Sequence, residues 1–493
     1  MGIIIRQAAY SSVFSYVGVA LGFLNVAIFM NRWLTPEELG LRNILLDIAI
    51  IYAQFANFGM YKGMVKFFPF FRANDNSDRG LLSIASLTAI AGFLTLAIPL
   101  FLFQDQILDF YASESSMIKN YYFAIFPLSF FLIFVGLLES YLQARSETVI
   151  SSFVKNVLHR CLLTIFIVLL HLEYIDYYQF LALFVGSYAL VVLFYFVYLW
   201  VKGYLSFKIH FDFFSRRLRG VFYNYSFFSV MSNFSSIVVT RVDVLMIGYF
   251  LGLEAVAIYT NAFFLTVLLM VPSVSMANIT LPLLSNSWKD RNIEKIDEIY
   301  KKTSLTQFLM GGAIFILMWS SIDNFFELQR PEYIAGKWVF FFLGLSKVIN
   351  LIFGVNHQII NITKYYRFDS FSSLVLALMT IISNTIMIKA MGILGAAIAT
   401  AVSLVLFNLI RSYFLYKKLR IQPFTFKSVT LFLILLGAFI IGEMIPFIEN
   451  IYIDTAFRSV VIFAFILFLT VRLNISEEIN SIYNRMLNHV KGK

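Results

Sequence analysis

One cysteine, five histidines and nine prolines are scattered through 493 residues, and only 13% of the chain is charged. Each scarcity excludes something. The lone Cys161 rules out an intrachain disulfide. The histidines show no His-Glu-x-x-His spacing and join no Cys/His cluster, so neither a metal nor another cofactor is expected. No phosphate-binding Gly-rich loop occurs, so this chain is not expected to power anything by its own ATP hydrolysis. Long polar stretches are missing as well. The longest loops on one side, around 104–119 and 323–337, are too short to hold a soluble catalytic domain.

What fills the chain instead is apolar: 60% of the residues are hydrophobic, the composition of a polytopic membrane protein. A spanning helix needs about 20 mostly apolar residues. Fourteen stretches qualify, at 8–31, 43–66, 81–103, 120–143, 150–170, 178–201, 221–250, 256–284, 304–322, 338–360, 370–388, 393–416, 428–447 and 455–472. The first lacks a small-residue cleavage site and reads as a spanning helix, not a removed leader. After Arg472, Ile479, Ile482, Met486 and Val490 share a helical face that suits the membrane interface.

The basic residues alternate from loop to loop. Odd-numbered loops carry seven: Arg32, Arg42, Lys119, Arg330, Lys337, Lys389 and Arg458. Six more lie inside the apolar segments, and the remaining 25 of the 38 fall in the even loops and termini. Excess Lys/Arg marks the cytoplasmic side, so both termini are expected there. The net charge of +10 is then a topology signal, with no nucleic-acid partner implied.

Two halves of the chain echo each other. Leu34-Thr35-Pro36-Glu37-Glu38-Leu39-Gly40 joins segments 1 and 2, and Leu251-Gly252-Leu253-Glu254-Ala255-Val256-Ala257 joins 7 and 8. Each following helix ends near a proline between bulky residues, Phe68-Pro69-Phe70 and Leu281-Pro282-Leu283. Such repeats suggest two pseudo-symmetric six-helix lobes around a central site. The expected division is 1–203 for the first lobe, 204–220 for a basic cytoplasmic linker and 221–422 for the second lobe. An appended helix pair at 423–475 and a cytoplasmic tail at 476–493 complete it.

Asp243-Val244-Leu245-Met246-Ile247-Gly248, Ala257-Ile258-Tyr259, Leu281-Pro282 and Met391-Gly392-Ile393-Leu394-Gly395-Ala396-Ala397-Ile398-Ala399-Thr400 resemble a family signature. They are similar to the Wzx-type polysaccharide and O-antigen flippases of the multidrug/oligosaccharidyl-lipid/polysaccharide exporter superfamily. The N-terminal lobe matches more loosely, with Arg42 where the family commonly has an aromatic residue. The resemblance implies an all-α, MATE-like fold in a bacterial inner membrane. It also implies passage of undecaprenyl-diphosphate-linked oligosaccharide from the cytoplasmic to the periplasmic leaflet by alternating access, in lipopolysaccharide or capsule assembly. The partners would be that lipid-linked glycan, the bilayer and other polysaccharide assembly proteins.

The residues fit such a substrate. Lys62, Lys155, Arg160, Arg241, Lys347 and Arg411 lie in the apolar segments, against Asp47, Glu139 and Asp243. A charge at mid-bilayer costs roughly 2.5–3.5 kcal/mol even on a lenient scale, so these residues need a cavity, a partner or the interface. Arg411, close to a segment end, is expected to snorkel. Polar residues also form stripes at helical spacing: Ser15, Gly18, Gly22 and Asn25; Ser229, Asn233, Ser236 and Thr240; Lys347, Asn350, Gly354 and His357. Asn25, Asn233, Thr240 and Asn350 are the expected cavity lining, although small and hydroxyl residues serve helix packing equally well. The cations are harder to ascribe to packing. Lys155, Arg160, Arg241 and Lys347, with Lys62 and His357 behind them, are the expected diphosphate ligands, because Lys and Arg give charge-assisted hydrogen bonds to phosphate. Asp243 and Asp47 are candidates for ion coupling. A cation-coupled multidrug antiporter would be expected to have an acidic cavity instead, and a glycan polymerase or ligase a large external loop. The abundant Phe and Tyr read as lipid-facing and interfacial material.

Overall fold

The computed structural model describes residues 2–71, 79–112, 117–205, 216–475 and 480. These residues are almost wholly helical and include no strand. In hydrocarbon a backbone must satisfy its own N–H and C=O groups, and a helix does so within one segment. Twelve helices among the described residues are long and apolar enough to cross a bilayer.

Two of these runs are too long for a single crossing. Arg367–Leu419 holds 53 residues, about 80 Å of helix, against a hydrocarbon core of about 30 Å. Inside it Gly392 has φ 61° and ψ −142°, and inside Arg216–Val267 Gly252 has φ 84° and ψ −177°. That backbone region is essentially reserved for glycine. At both places residues eight apart meet: a Cβ on Gly395 would strike the Met387 backbone, and one on Gly248 would lie 3.4 Å from Val256. Eight residues of straight helix would separate them by about 12 Å. The chain therefore doubles back at each glycine, and the helices are compatible with the fourteen segments read from hydropathy.

Several boundaries differ from that reading. The second segment starts at Pro36, where Thr35 caps Glu38 and Glu38 caps Thr35 in return. Arg42 thus lies inside a helix and is 7% exposed, not in a loop. Arg458 likewise sits in the helix Ile451–Arg472 and is buried. The second segment is also broken: Pro36–Ala56 and Met60–Phe71 meet at Phe58 and Gly59, both with positive φ. A Cβ on Gly59 would strike the Ser226 backbone, so close approach as well as φ requires glycine there. Residues 206–215 of the expected linker and nearly all of the tail, with Ile479, Ile482, Met486 and Val490, lie outside the described residues.

The chain forms two compact units, residues 1–257 and 258–493. In the first, Phe67, Phe68, Phe71, Tyr141, Tyr195 and Phe222 belong to one buried cluster. In the second, Leu284, Ile296, Tyr300, Ile359 and Leu415 form another. Leu94, Ile98, Phe101, Leu433 and Phe463 are each more than half exposed, as lipid-facing side chains should be. The tyrosines correct the interfacial expectation. Tyr122, Tyr141, Tyr195, Tyr259, Tyr300 and Tyr333 are fully buried. Some tie segments together: the Tyr122 hydroxyl donates to the Leu100 carbonyl at 2.8 Å, and Tyr177 to that of Glu38 at 2.7 Å.

Candidate functional site

The first unit brings most of the expected cations into spanning helices. Its first and fifth segments each contain a π-turn, Leu24–Met30 and Val154–Leu158, which re-aims the following side chains. Gly18 and Gly22 let the two segments meet. A Cβ on Gly18 would be 2.6 Å from that of Asn156, and one on Gly22 would strike the Arg160 guanidinium. Arg160 donates to the Gly18 carbonyl. Asn25 donates to the Arg160 carbonyl at 2.9 Å and accepts from Thr164 at 2.8 Å. Asn25 and Arg160 are therefore engaged in helix–helix contact.

Lys155 lies 3.4 Å from Glu139, whose other oxygen accepts from the Tyr195 hydroxyl at 3.2 Å. The Lys155 side chain is 67% exposed, which leaves most of its ammonium accessible. Asp47, 3% exposed, forms an ion pair with Arg241, whose side chain is 37% exposed. Arg42, five positions before Asp47 on the same helix, donates to the Asn43 side chain at 2.8 Å and stacks over Phe184 at 4.6 Å. Asp243 is buried, and Lys62 is exposed on Met60–Phe71. The side chains of Asn233 and Thr240 lie outside the described residues. Within the apolar segments, Lys62, Lys155, Arg160 and Arg241 stand against Asp47, Glu139 and Asp243, and Arg42 adds a further cation on Pro36–Ala56, whose first turn carries Glu37 and Glu38.

The second unit arranges its polar groups differently. Lys347 is half-buried with its ammonium 5.6 Å from the Phe263 ring centre. Asn408 donates to Asn350 at 2.8 Å and accepts from Asn356 at 3.0 Å, a chain of buried amides. Arg411 is 7% exposed and does not snorkel: it pairs with Asp369, while His357 lies 3.1 Å from both. Phe407 packs on the same guanidinium at 3.9 Å. Reading the sequence missed Asp369, Asn408, Asn356 and the inward place of Arg42. Asp369 stands one residue before the apolar run at 370–388, where it passes for a loop charge. For Arg42 the signal was present, since Thr-x-x-Glu ahead of an apolar run marks a helix start upstream of it.

In chemical terms the first unit holds an excess of fixed positive charge within apolar surroundings. Partly exposed guanidinium and ammonium groups there can donate to an anion. The second unit holds a largely internally satisfied network.

Residues 4–288 match the family model described as polysaccharide biosynthesis protein. A probable low-salt glycan biosynthesis flippase, Agl15 of Haloferax volcanii, is 25% identical over 195 residues, 39% of this chain and 41% of that protein. The matched part thus spans less than half of that relative. The lipid II flippase MurJ in its inward closed conformation superposes with a TM-score of 0.73 at 15% identity, covering 94% of this chain and 99% of the other. An inward-facing multidrug MATE transporter superposes with a TM-score of 0.64 at 17% identity, covering 82% and 98%. These likenesses establish the fold. This multi-pass membrane chain belongs to the polysaccharide biosynthesis protein family.

Proposed function

We propose that this protein flips an undecaprenyl-diphosphate-linked oligosaccharide, such as an O-antigen, capsule or exopolysaccharide repeat unit, from the cytoplasmic to the periplasmic leaflet by alternating access. The site is a bacterial cytoplasmic membrane with both termini inside. The observation that carries the reading is the arrangement around Pro36–Ala56, where the buried Asp47 pairs with Arg241 while a second, buried guanidinium, Arg42, stands on the same helix. One carboxylate neutralises one guanidinium, so net positive charge remains. Arg241, the more exposed of the two, can present it to a passing diphosphate. Bidentate Arg–phosphate bonds are among the stronger hydrogen bonds a protein forms. Lys155 in the same unit and Lys347 in the second unit are the other first-rank candidates, and Lys62 and His357 are secondary ones. Arg160, bonded across to Gly18, positions the helix pair that bears Lys155. Asp243 and Asp47 are the candidates for ion coupling. A cation-selective antiporter would call for the opposite balance of charge in the first unit.

The test is polysaccharide export in a deletion strain complemented with Lys155→Gln, Arg160→Gln, Arg241→Gln or Lys347→Gln. Export should fail in the Arg241 and Lys347 variants at normal membrane protein levels. Full export from all four variants would remove the site assignment.

A further inference from the structure

A cavity of about 350 Å³ lies within the second unit. Its walls come from the end of Ile293–Ser320, the start of Lys337–Ile352, the end of Phe426–Met444 and the start of Ile451–Arg472. All four ends face the odd-numbered loops, the periplasmic side under the charge reading. None of the residues expected to bind the diphosphate lines it.

One side of the cavity is a rigid frame. Arg458 donates to Asp454 at 2.7 Å and to the Gly442 and Ile445 carbonyls at 2.9 Å each, closing the end of Phe426–Met444. Asp454 also accepts from Asn324 at 2.6 Å and from the Ile448 amide at 3.0 Å. These groups are satisfied among themselves. The other walls offer open chemistry. Trp319 and Trp338 lie 5.5 Å apart, and Trp319 and Phe341 4.8 Å apart. Trp338 is 53% exposed. Glu443 accepts from the Trp319 indole at 2.7 Å and keeps further acceptor capacity, and Lys337 bridges to Asp323 at 2.7 Å.

Flat aromatic faces beside alternating donors and acceptors suit a ring that is apolar on one face and carries hydroxyls around its edge. A pyranose has that form. Asp323, Glu443 and Asp454 face Lys337 and Arg458, a formal excess of a single negative charge, and Glu443 already accepts from the Trp319 indole. The lipophilic cation is therefore the control in the test below. The volume falls in the lower part of the range for small-molecule sites, about 300–1,000 Å³. We propose that this pocket binds a sugar ring of the translocated glycan on the periplasmic side, a docking site separate from the diphosphate ligands. The proposal rests on the flippase reading for the identity of its ligand.

The experiment is intrinsic tryptophan fluorescence of the full-length protein in a non-glycosidic detergent, titrated with maltose, lactose, di-N-acetylchitobiose and tetraphenylphosphonium. The expected result is a saturable change with at least one disaccharide, weakened at least tenfold in Trp338→Ala and Glu443→Ala at unchanged thermal stability. Trp319 remains as reporter in both variants. No saturable disaccharide response, an equal response in Trp338→Ala, or a response to the cation alone would overturn the proposal. A polyprenyl diphosphate, run in parallel, separates the two readings. A sugar response without any diphosphate response sustains the pocket and counts against the flippase.

Discussion

Gly22 shows how a single missing side chain positions a charge. Its Cβ position is taken by the Arg160 guanidinium, so any larger residue must displace that group. Gly22→Val is expected to destabilise by about 1–3 kcal/mol. Gly186→Ala, where nothing stands within 4 Å, should be neutral. Thermal unfolding in one detergent compares them. The Arg411–Asp369 pair makes a second residue-level test. Removing one partner of a buried pair strands the other charge and costs about 3–5 kcal/mol. Asp369→Leu and Arg411→Met should each lower the melting temperature strongly, and the double variant should lose less than their sum. Additive losses would mean that the pair is not coupled. Residues of this kind were only half legible in the sequence. A lysine or arginine in an apolar run announces itself, because nothing else in hydrocarbon resembles it. Its partner does not: Arg241 meets Asp47 across 194 positions, and Arg411 meets Asp369 across 42. Helical periodicity relates residues three or four apart and cannot pair such distant segments.

At the scale of elements, hydropathy located the spanning segments because a helix in lipid needs a long apolar run. It placed the boundaries less well, since the capping box at Thr35 brings Arg42 and its neighbours inside the second helix. It also missed the internal breaks. Phe58 and Gly59, like Gly354 with φ 53°, interrupt apolar runs where a single neighbouring asparagine, Asn57 or Asn356, is too small a polar signal to end the run. The motifs at Gly252 and Gly392 have a physical reading in the structure. Each glycine takes a backbone conformation closed to other residues and reverses the chain between two spanning helices. Gly392→Ala should therefore cost about 1–3 kcal/mol. Gly437→Ala, whose new methyl would sit 3.4 Å from Phe465, should be tolerated. Relative membrane expression and melting temperature of the two variants check this.

For the whole molecule, composition alone indicated a multi-pass membrane protein, and the short loops argued for transport over enzymatic chemistry. The helical fold shared with the MurJ and MATE structures agrees with the multi-pass reading. Function turns on the sign of the charge that the spanning helices retain. In the first unit that sign is positive, and Arg241 there keeps a side chain 37% exposed beside Asp47. The most direct measurement is thermal stabilisation of the purified protein by a polyprenyl diphosphate, set against a polyprenyl alcohol and a lipophilic cation. The account predicts a shift with the diphosphate alone, lost in Arg241→Ala. Stabilisation by the cation alone would contradict it and turn attention to Asp47 and Asp243 as the groups that bind.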